Sequence, residues 1–154
     1  MAGECIFCKI VKGEIPSAKV WEDDKFLAIL DAFPNTKGMV LVMPKEHCDS
    51  YAFDMPEDEF IEFTKAAREV AKLLEKALGV KRVAMVMEGM GVNHAHYKLY
   101  PLHGLTDKNA IVVAEGTAYY EKYPGYVCTR LGEKADFGDL LELADSIRNS
   151  AGKV

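Results

Sequence analysis

The stretch HAHYKLY, residues 94–100, is the most informative part of this sequence of 154 residues. Its side chains alternate with a period of two, which is typical of a β-strand that has one face against the core. His94, His96 and Lys98 then share one face, with neighbouring members of the row about 7 Å apart. Because three groups that can all carry positive charge repel one another, we expect an anionic ligand or a metal ion beside them.

Histidines are concentrated around this stretch. Three of the four histidines, His94, His96 and His103, fall within ten residues of one another. A single histidine is more often a packed or surface residue than a functional one, and alternation alone indicates only a strand. Two imidazoles in register with a lysine nevertheless favour a functional row. His103 lies just beyond the strand, and we predict that it is a surface residue.

The pair Cys5 and Cys8 is the second candidate site. Two thiols separated by two residues can bind one tetrahedral metal ion. The alternatives are two small buried hydrophobic residues or a redox pair, although a redox pair would follow a first strand and this pair precedes every predicted strand. A structural zinc ion needs four ligands, which His47 and one histidine of the row would complete. Spacing along the sequence leaves open which histidine that is.

The rest of the chain predicts an α+β domain with an antiparallel sheet, since strand-like runs follow one another in hairpins and helices are few. A long amphipathic helix of about six turns begins near Pro56 and ends at Gly79. A second helix is predicted over Asp139–Ser150. The other strand-like runs are Lys19–Glu22, Phe26–Asp31, Met39–Met43, Lys81–Glu88, Ile111–Ala114 and Tyr126–Leu131.

The composition excludes several classes of protein. With 49% hydrophobic and 28% charged residues the chain is typical of a globular domain, and its net charge of −5 argues against binding to nucleic acid or to an anionic membrane. No apolar run approaches the roughly 18–20 residues that span a bilayer. The first fifteen residues carry four charges and no signal-peptide core. We therefore predict a cytoplasmic protein whose thiols stay reduced.

Several segments together resemble the histidine triad (HIT) superfamily, in that family's order and at similar spacing: Cys5–Lys9, Gly13–Ser17, Phe26–Asp31, Gly38–Pro44, Lys45–His47 and His94–Lys98. The resemblance covers about residues 4–103 of a single domain predicted over 1–154, with a C-terminal strand and helix extension over about 104–154. It implies a five-stranded antiparallel sheet with a long helix, usually paired into a homodimer with a continuous sheet. It also implies a nucleotide substrate: a nucleoside phosphoramidate, a dinucleoside polyphosphate or an adenylylated compound.

The resemblance implies separate roles for the two histidines of the row. The middle histidine of the family motif is the nucleophile, which corresponds to His96. It would attack the α-phosphorus and form a covalent nucleotidyl-histidine that water or another acceptor resolves. In zinc-containing members, the CxxC pair, a histidine after the central strand and the first motif histidine hold a structural zinc, here Cys5, Cys8, His47 and His94. Cys48 is not expected to be a ligand, because adjacent side chains in an extended segment point apart.

The resemblance also places candidate nucleotide contacts. Asp31 corresponds to the family's contact with the ribose hydroxyls, although a strand-end acid in a turn is an alternative. Phe7, Ile15, Phe26 and Leu30 map near the base pocket, with simple core packing as the alternative. In the loop before the motif, Gly91 permits close approach of backbone to phosphate and Asn93 supplies an amide donor. We expect these residues to bind the nucleotide.

Two departures from the family pattern affect the predicted chemistry. The third motif position holds Lys98 instead of a histidine, and lysine supplies a fixed positive charge but is a poor proton donor. Lys98 therefore favours transfer of the nucleotidyl group over its hydrolysis, or a substrate with an unusual leaving group. We expect Lys98 to clamp the α-phosphate. The loop Glu88–Asn93 lacks the glutamine that many members carry there.

The leading interpretation is therefore a nucleotidyl hydrolase or transferase with a structural zinc ion and a covalent His96 intermediate. One alternative is a nucleotide-binding or sensing module with little turnover. Another is a metallohydrolase in which zinc activates water and both His94 and His96 are ligands.

Overall fold

The computed structural model describes residues 5–112 and 134–151. The predicted strand Tyr126–Leu131 lies outside the described residues, as does the second half of the predicted strand Ile111–Ala114. Ile111 and Val112 are described, and they belong to no strand. No helix in these two ranges combines the length and the apolar character needed to cross a bilayer.

Five antiparallel strands form a single open sheet, with helices on both of its faces. Among the described residues the sheet order is β1-β2-β3-β5-β4, so β5 lies inside the sheet and β4 lies at an edge. The elements are α1 (Ile6–Val11), β1 (Lys19–Glu22), β2 (Phe26–Leu30), β3 (Val40–Pro44), a 3-10 turn (Ala52–Asp54), α2 (Glu57–Leu78), β4 (Val83–Val86), β5 (Tyr97–Pro101) and α3 (Phe137–Ala151). The predicted α+β fold with five strands and a long helix is confirmed.

The long helix α2 follows directly from its sequence. Pro56 stands at its N-cap, and three acidic residues occupy the first turn, where they face the positive end of the helix dipole. Gly79 ends the helix in a left-handed conformation at φ +64°, which glycine adopts without strain. One face packs on the sheet through Phe63, Ala66, Ala67, Val70, Leu73 and Leu74, which are all buried.

The motif strand β5 begins at Tyr97, three residues later than the alternation suggests. Before it, the backbone bonds locally: the His94 amide donates to the Val92 carbonyl and the Ala95 amide to the Cys48 carbonyl. The predicted alternation of faces is nevertheless present. Ala95, Tyr97 and Leu99 belong to the core beneath α2. His94 and His96 contact the ring of Phe7, which lies on the other face.

The two faces of the sheet carry two separate cores. The α2-side core includes Phe26, Ala28 and Leu30 of β2. The α1-side core consists of Phe7, Leu27, Ile29, Leu41 and Met43. Successive residues of β2 therefore alternate between the two cores, as the pleat of a strand requires.

The C-terminal helix α3 contributes to the α2-side core. Its residues Leu140, Ala144 and Ile147 are buried there, and the helix packs on α2 and on β1. Because α3 shares this core, we propose that the C-terminal segment belongs to the same domain as the sheet, so that residues 1–154 form one unit.

Candidate metal and nucleotide site

Four predicted metal ligands come together at one end of the sheet. The ligand atoms of Cys5, Cys8, His47 and His94 all lie within 4.8 Å of one another. The Sγ atom of Cys5 is 3.4 Å from Nδ1 of His94, and the Sγ atom of Cys8 is 3.4 Å from Nδ1 of His47 and 3.6 Å from Nδ1 of His94. Tetrahedral zinc bonds imply sulfur–nitrogen separations of about 3.5 Å. The donor set and its spacing therefore fit a structural zinc ion.

Three different parts of the chain supply these ligands. Cys5 is the N-cap residue of α1 and Cys8 lies in its first turn, so the short helix brings both thiols to the same end. His47 follows β3, and His94 precedes β5. A metal ion bound here would tie α1 to β3 and β5, two neighbouring strands inside the sheet.

The imidazole of His94 is oriented for coordination. Its Nε2–H donates to the Pro44 carbonyl over 2.9 Å, which leaves the lone pair on Nδ1, the atom that faces the two thiols. A second partner of this kind is what fixes a metal-binding histidine in its tautomer. Burial lowers the pKa of His94, which favours the neutral ligand form. Burial also raises the pKa of the Cys8 thiol, and a bound cation would oppose that effect.

Cys48 does not join the cluster, as the sequence predicts. Its side chain packs against the α2-side core, and burial raises the pKa of its thiol. Adjacent residues in this extended segment therefore face different surroundings, His47 toward the ligand cluster and Cys48 toward the core.

The second motif histidine, His96, is held apart from the metal cluster. Its Nδ1–H donates to the His94 carbonyl over 2.8 Å, so the lone pair lies on Nε2. The side chain is only 4% exposed, and Phe7 lies edge-on to its ring at a centroid distance of 5.1 Å. The arrangement presents one unprotonated nitrogen from a rigidly held ring, which is the form that a nucleophile requires.

Charged groups of both signs surround His96. Burial is the main effect, and it lowers the pKa of His96; the positive charge of Lys98 acts in the same direction. The hydrogen bond to the His94 carbonyl opposes these effects and raises the pKa, as do the negative charges of Asp31 and Glu88. Because the largest effect is burial, the neutral imidazole is favoured.

Lys98 forms an ion pair that the sequence does not predict. Its Nζ atom is 2.9 Å from Oε1 of Glu88, and the two side chains are only 13% and 18% exposed. Glu88 follows β4, and Val86 of that strand is the cross-strand partner of Lys98. The β4–β5 register therefore brings the pair together, and register is not visible in a single segment.

Of the predicted base-pocket residues, Phe7 lies beside His96 and two others do not. The contacts of Phe26 and Leu30 with a nucleotide base remain predictions. Both side chains belong to the α2-side core, on the opposite face of the sheet from His96. The intervening residues Leu27 and Ile29 are the ones that reach the α1-side core with Phe7. The alternation along β2 indicates which of its residues reach the α1-side core, since only every second residue faces α1.

The predicted ribose contact, Asp31, is buried just after β2. Its Oδ1 accepts from the Phe33 amide over 2.8 Å, and its negative charge is felt at His96. Ile15 is half-buried after α1, and its backbone amide donates to the Lys9 carbonyl. Their contacts with a nucleotide remain predictions. His103 is exposed, as predicted, and its Nε2–H donates to the Lys37 carbonyl over 2.9 Å.

Comparison with known proteins establishes the family. A model of the HIT domain matches residues 12–104, which is more than half of the chain. The chain belongs to the histidine triad (HIT) family. HIT proteins include nucleotide-binding hydrolases.

Two relatives and one solved structure illustrate what this chain is similar to. An uncharacterized HIT-like protein of Methanocaldococcus jannaschii is 41% identical over 102 residues, which are 63% of this chain and 78% of that protein. An adenosine 5'-monophosphoramidase of Saccharomyces cerevisiae is 34% identical over 114 residues, 71% of this chain and 68% of that enzyme. A zinc-bound histidine triad family protein from Mycobacterium smegmatis shares the fold, with a TM-score of 0.69 at 23% identity over 97% of this chain and 94% of that chain.

The loop before the HIT motif is tied to the segment after β3. The Asn93 side chain accepts from the Ser50 amide over 2.9 Å and donates to Asp49 over 2.8 Å. Gly89 adopts φ +69° with its missing Cβ only 2.6 Å from the Ser50 carbonyl oxygen. Gly91 is exposed and has open space where a Cβ would lie. The Asn93 amide thus has a structural role here, and its predicted contact with phosphate remains a prediction, as does that of Gly91.

Replacing Gly89 with alanine is expected to destabilise the protein by about 2 kcal/mol or more. Alanine must either adopt a left-handed conformation or move, and the atom in its way is backbone, which cannot rotate aside. Gly91→Ala in the same loop is the matched control, with an expected effect within about 0.5 kcal/mol. Urea denaturation of both variants measures the difference, and equal stabilities would contradict the packing seen at Gly89.

Proposed function

We propose that this HIT protein is a nucleotidyl hydrolase or transferase that works through a covalent bond between Nε2 of His96 and the α-phosphorus of its substrate. The observation that carries the proposal is the hydrogen bond from Nδ1 of His96 to the His94 carbonyl. This bond fixes the tautomer whose Nε2 has the lone pair. A buried ring held at one end can direct that lone pair at a bound phosphate without first rotating or losing a proton.

The reaction would proceed in two displacements. In the first, the Nε2 lone pair forms a bond to the α-phosphorus as the bond to the leaving group breaks; the electron pair departs with that group, which leaves as an anion or, if it is an amine, takes up a proton from solvent. In the second, water or another acceptor attacks the phosphorus and gives up its proton to solvent, and the bond between phosphorus and Nε2 breaks, which restores the Nε2 lone pair as the nucleotide leaves. Lys98 would place its positive charge on the phosphoryl oxygens, where negative charge must be accommodated in both steps.

The nucleotide would lie across the α1 side of the sheet, with its base near Phe7 and Ile29 and its ribose near Asp31. Phe7 already contacts the rings of both His94 and His96, so a base packed on it lies close to the proposed nucleophile. Asp31 uses Oδ1 for the Phe33 amide, and a carboxylate has a second oxygen that can accept from a ribose hydroxyl. The activity named for the yeast relative makes an adenosine phosphoramidate the first substrate to test.

We assign the cluster of Cys5, Cys8, His47 and His94 to a structural zinc ion. Four protein ligands close a tetrahedral site and leave no open position for water, which is the arrangement of a structural site and not of a catalytic one. His96 is not part of this cluster, and its Nδ1 is already bonded to a carbonyl. This favours the division of roles between the two histidines over a metallohydrolase in which both are ligands. A cytoplasmic location, where thiols stay reduced, is compatible with such a site and remains a prediction.

We also propose that the protein forms a homodimer through the edge strand β4. Within the two described ranges, β4 pairs on one side only, with β5. Its residues Val83, Ala84, Met85 and Val86 carry no charge, and Met85 is exposed. An apolar edge of this kind is normally covered by pairing. Analytical ultracentrifugation that returns a monomer at micromolar concentration would contradict the proposal.

Intact-protein mass spectrometry tests the proposed covalent step. The protein is mixed with adenosine 5'-phosphoramidate and quenched within the first turnovers. We expect a mass increase of one adenylyl group, located on His96 by peptide mapping and absent after treatment of His96→Gln. Binding of the nucleotide with neither adduct nor product, from the phosphoramidate and from the p-nitrophenyl ester of AMP alike, would instead support the alternative of a sensing module.

A further inference from the structure

Lys98 and Glu88 form a largely buried ion pair beside His96. We propose that Glu88 is a positioning residue that holds the Lys98 ammonium at the phosphate site, and that this pair selects nucleotide substrates whose leaving group departs as an anion. The inference rests on the proposed function and narrows its substrate class. Burying an ion pair to this degree costs desolvation energy, which the contact between the two groups offsets, so loss of either partner leaves an uncompensated charge.

The register of the sheet places Lys98 on the same face as His96. Lys98 is paired with Leu41 of β3 and with Val86 of β4. Leu41 belongs to the α1-side core, whereas the neighbours of Lys98 along β5, Tyr97 and Leu99, belong to the α2-side core. The side chain of Lys98 therefore extends toward the α1 side, where Phe7 and His96 lie. Lys98 follows His96 by two residues on this face, so the ion pair of Lys98 with Glu88 lies on the side of the sheet that carries the proposed nucleophile.

The loop that follows Glu88 is held in place, which restrains the backbone from which the Glu88 carboxylate extends. Gly89 packs directly against the Ser50 carbonyl, and the Asn93 amide bonds both Asp49 and Ser50. A lysine side chain is long and flexible, and a carboxylate paired with it restricts where its ammonium can lie. The ammonium has three N–H donors, so one bond to Glu88 leaves two for phosphoryl oxygens. Glu88 thus orders Lys98 without occupying all of its donors.

The chemistry of the leaving group gives this arrangement its selectivity. When Nε2 of His96 bonds to phosphorus, the electron pair of the breaking bond moves to the leaving atom. A phosphate, polyphosphate or phenolate departs as a stable anion and needs no proton, and a nearby positive charge stabilises it. An amine departs only if its nitrogen receives a proton. An ammonium paired with a carboxylate supplies charge but is a poor proton donor, whereas a histidine at the same position can supply the proton.

The selectivity is tested with two substrates that differ only in the leaving group, the p-nitrophenyl ester of AMP and adenosine 5'-phosphoramidate. The ratio of their kcat/KM values, ester over phosphoramidate, is compared between the unsubstituted protein and Lys98→His. We expect Lys98→His to lower this ratio by at least about tenfold, because the imidazole assists only the amine. Comparing ratios removes the intrinsic difference in reactivity between the substrates. An unchanged ratio, with both substrates still turned over, would overturn the selectivity.

The positioning role of Glu88 is tested by a double-mutant cycle with Lys98→Met. Glu88→Gln is expected to lower kcat/KM for the ester about tenfold when Lys98 is present, as one charge-assisted contact is lost. Glu88→Gln should have little effect on kcat/KM in the Lys98→Met background, because the lysine that Glu88 positions is absent there. Glu88→Asp, which keeps the charge, should restore part of the loss. The same loss in both backgrounds would overturn the proposal.

A matched control separates this effect from general stability. Glu75 pairs with Lys72 over 2.7 Å on the exposed side of α2, so Glu75→Gln removes one carboxylate from a pair on the opposite side of the sheet and should leave kcat/KM unchanged. Zinc content and thermal unfolding show which variants are folded. Turnover of neither substrate by the unsubstituted protein would overturn the proposed function itself. If the substrates are turned over, but Lys98→His leaves the ratio of kcat/KM values unchanged and the effects of Glu88→Gln and Lys98→Met are additive, only the role of the Lys98–Glu88 pair is overturned.

Discussion

His96→Ala is expected to lower kcat/KM for the p-nitrophenyl ester of AMP by about 10³-fold or more while leaving the zinc content at one ion per chain. The loss is large because alanine removes the atom that would bond to phosphorus. The metal is kept because the ligand cluster consists of Cys5, Cys8, His47 and His94 and does not include His96. Product formation by chromatography and metal content by mass spectrometry give the two readouts.

His96→Gln and His103→Ala complete this experiment. Glutamine fills more of the buried site than alanine, so a comparable loss of activity in both variants excludes a collapsed cavity as the cause. His103 is exposed and bonds only to the Lys37 carbonyl among the contacts described, so His103→Ala should keep its activity. Loss of zinc together with activity in His96→Ala would favour the metallohydrolase alternative, and unchanged activity would exclude His96 as the nucleophile.

The sequence predicts the sheet and the long helix because both have strong local signals. The helix α2 has an apolar face, acidic residues in its first turn and a glycine at its end, and it lies within one or two residues of its predicted bounds. The six-residue helix α1 has no such signal, since it is too short for a periodic pattern to develop. The start of β5 is displaced to Tyr97 because His94 and Ala95 bond to loop carbonyls instead of to a neighbouring strand.

The candidate site is predictable in its residue types but not in all of its contacts. Residue types and spacing make Cys5 and Cys8 candidate metal ligands, and the family resemblance implies that His94 is a ligand of the same ion. The family resemblance implies a contact between Leu30 and the base, whereas the alternation of β2 turns Leu30 to the α2 side. The sequence does not predict Glu88 as a site residue, because its contact with Lys98 depends on the register between β4 and β5. Register is set by the whole sheet and not by either segment.

Cys8→Ala is expected to abolish stoichiometric zinc binding and to lower the free energy of unfolding by at least about 3 kcal/mol. This loss is a fraction of the roughly 10–16 kcal/mol with which structural zinc binds small metal-dependent domains. Cys8 is close to two histidines of the cluster, with its Sγ atom 3.4 Å from Nδ1 of His47 and 3.6 Å from Nδ1 of His94. Its loss would release α1 from the sheet and expose the α1-side core. Metal analysis and urea denaturation, with and without a chelator, measure both effects.

Cys48→Ala is the matched control, because it removes the same thiol group one residue from His47 without touching the cluster. Cys48 packs on the α2-side core, so its replacement should keep zinc and cost only the packing of one sulfur atom, about 1 kcal/mol. The two variants differ in one physical respect, the presence of the thiol in the ligand set. A chelator should therefore destabilise Cys48→Ala as much as the unsubstituted protein and leave Cys8→Ala unchanged. Full zinc content in Cys8→Ala, or equal metal loss in both variants, would exclude the assigned ligand set.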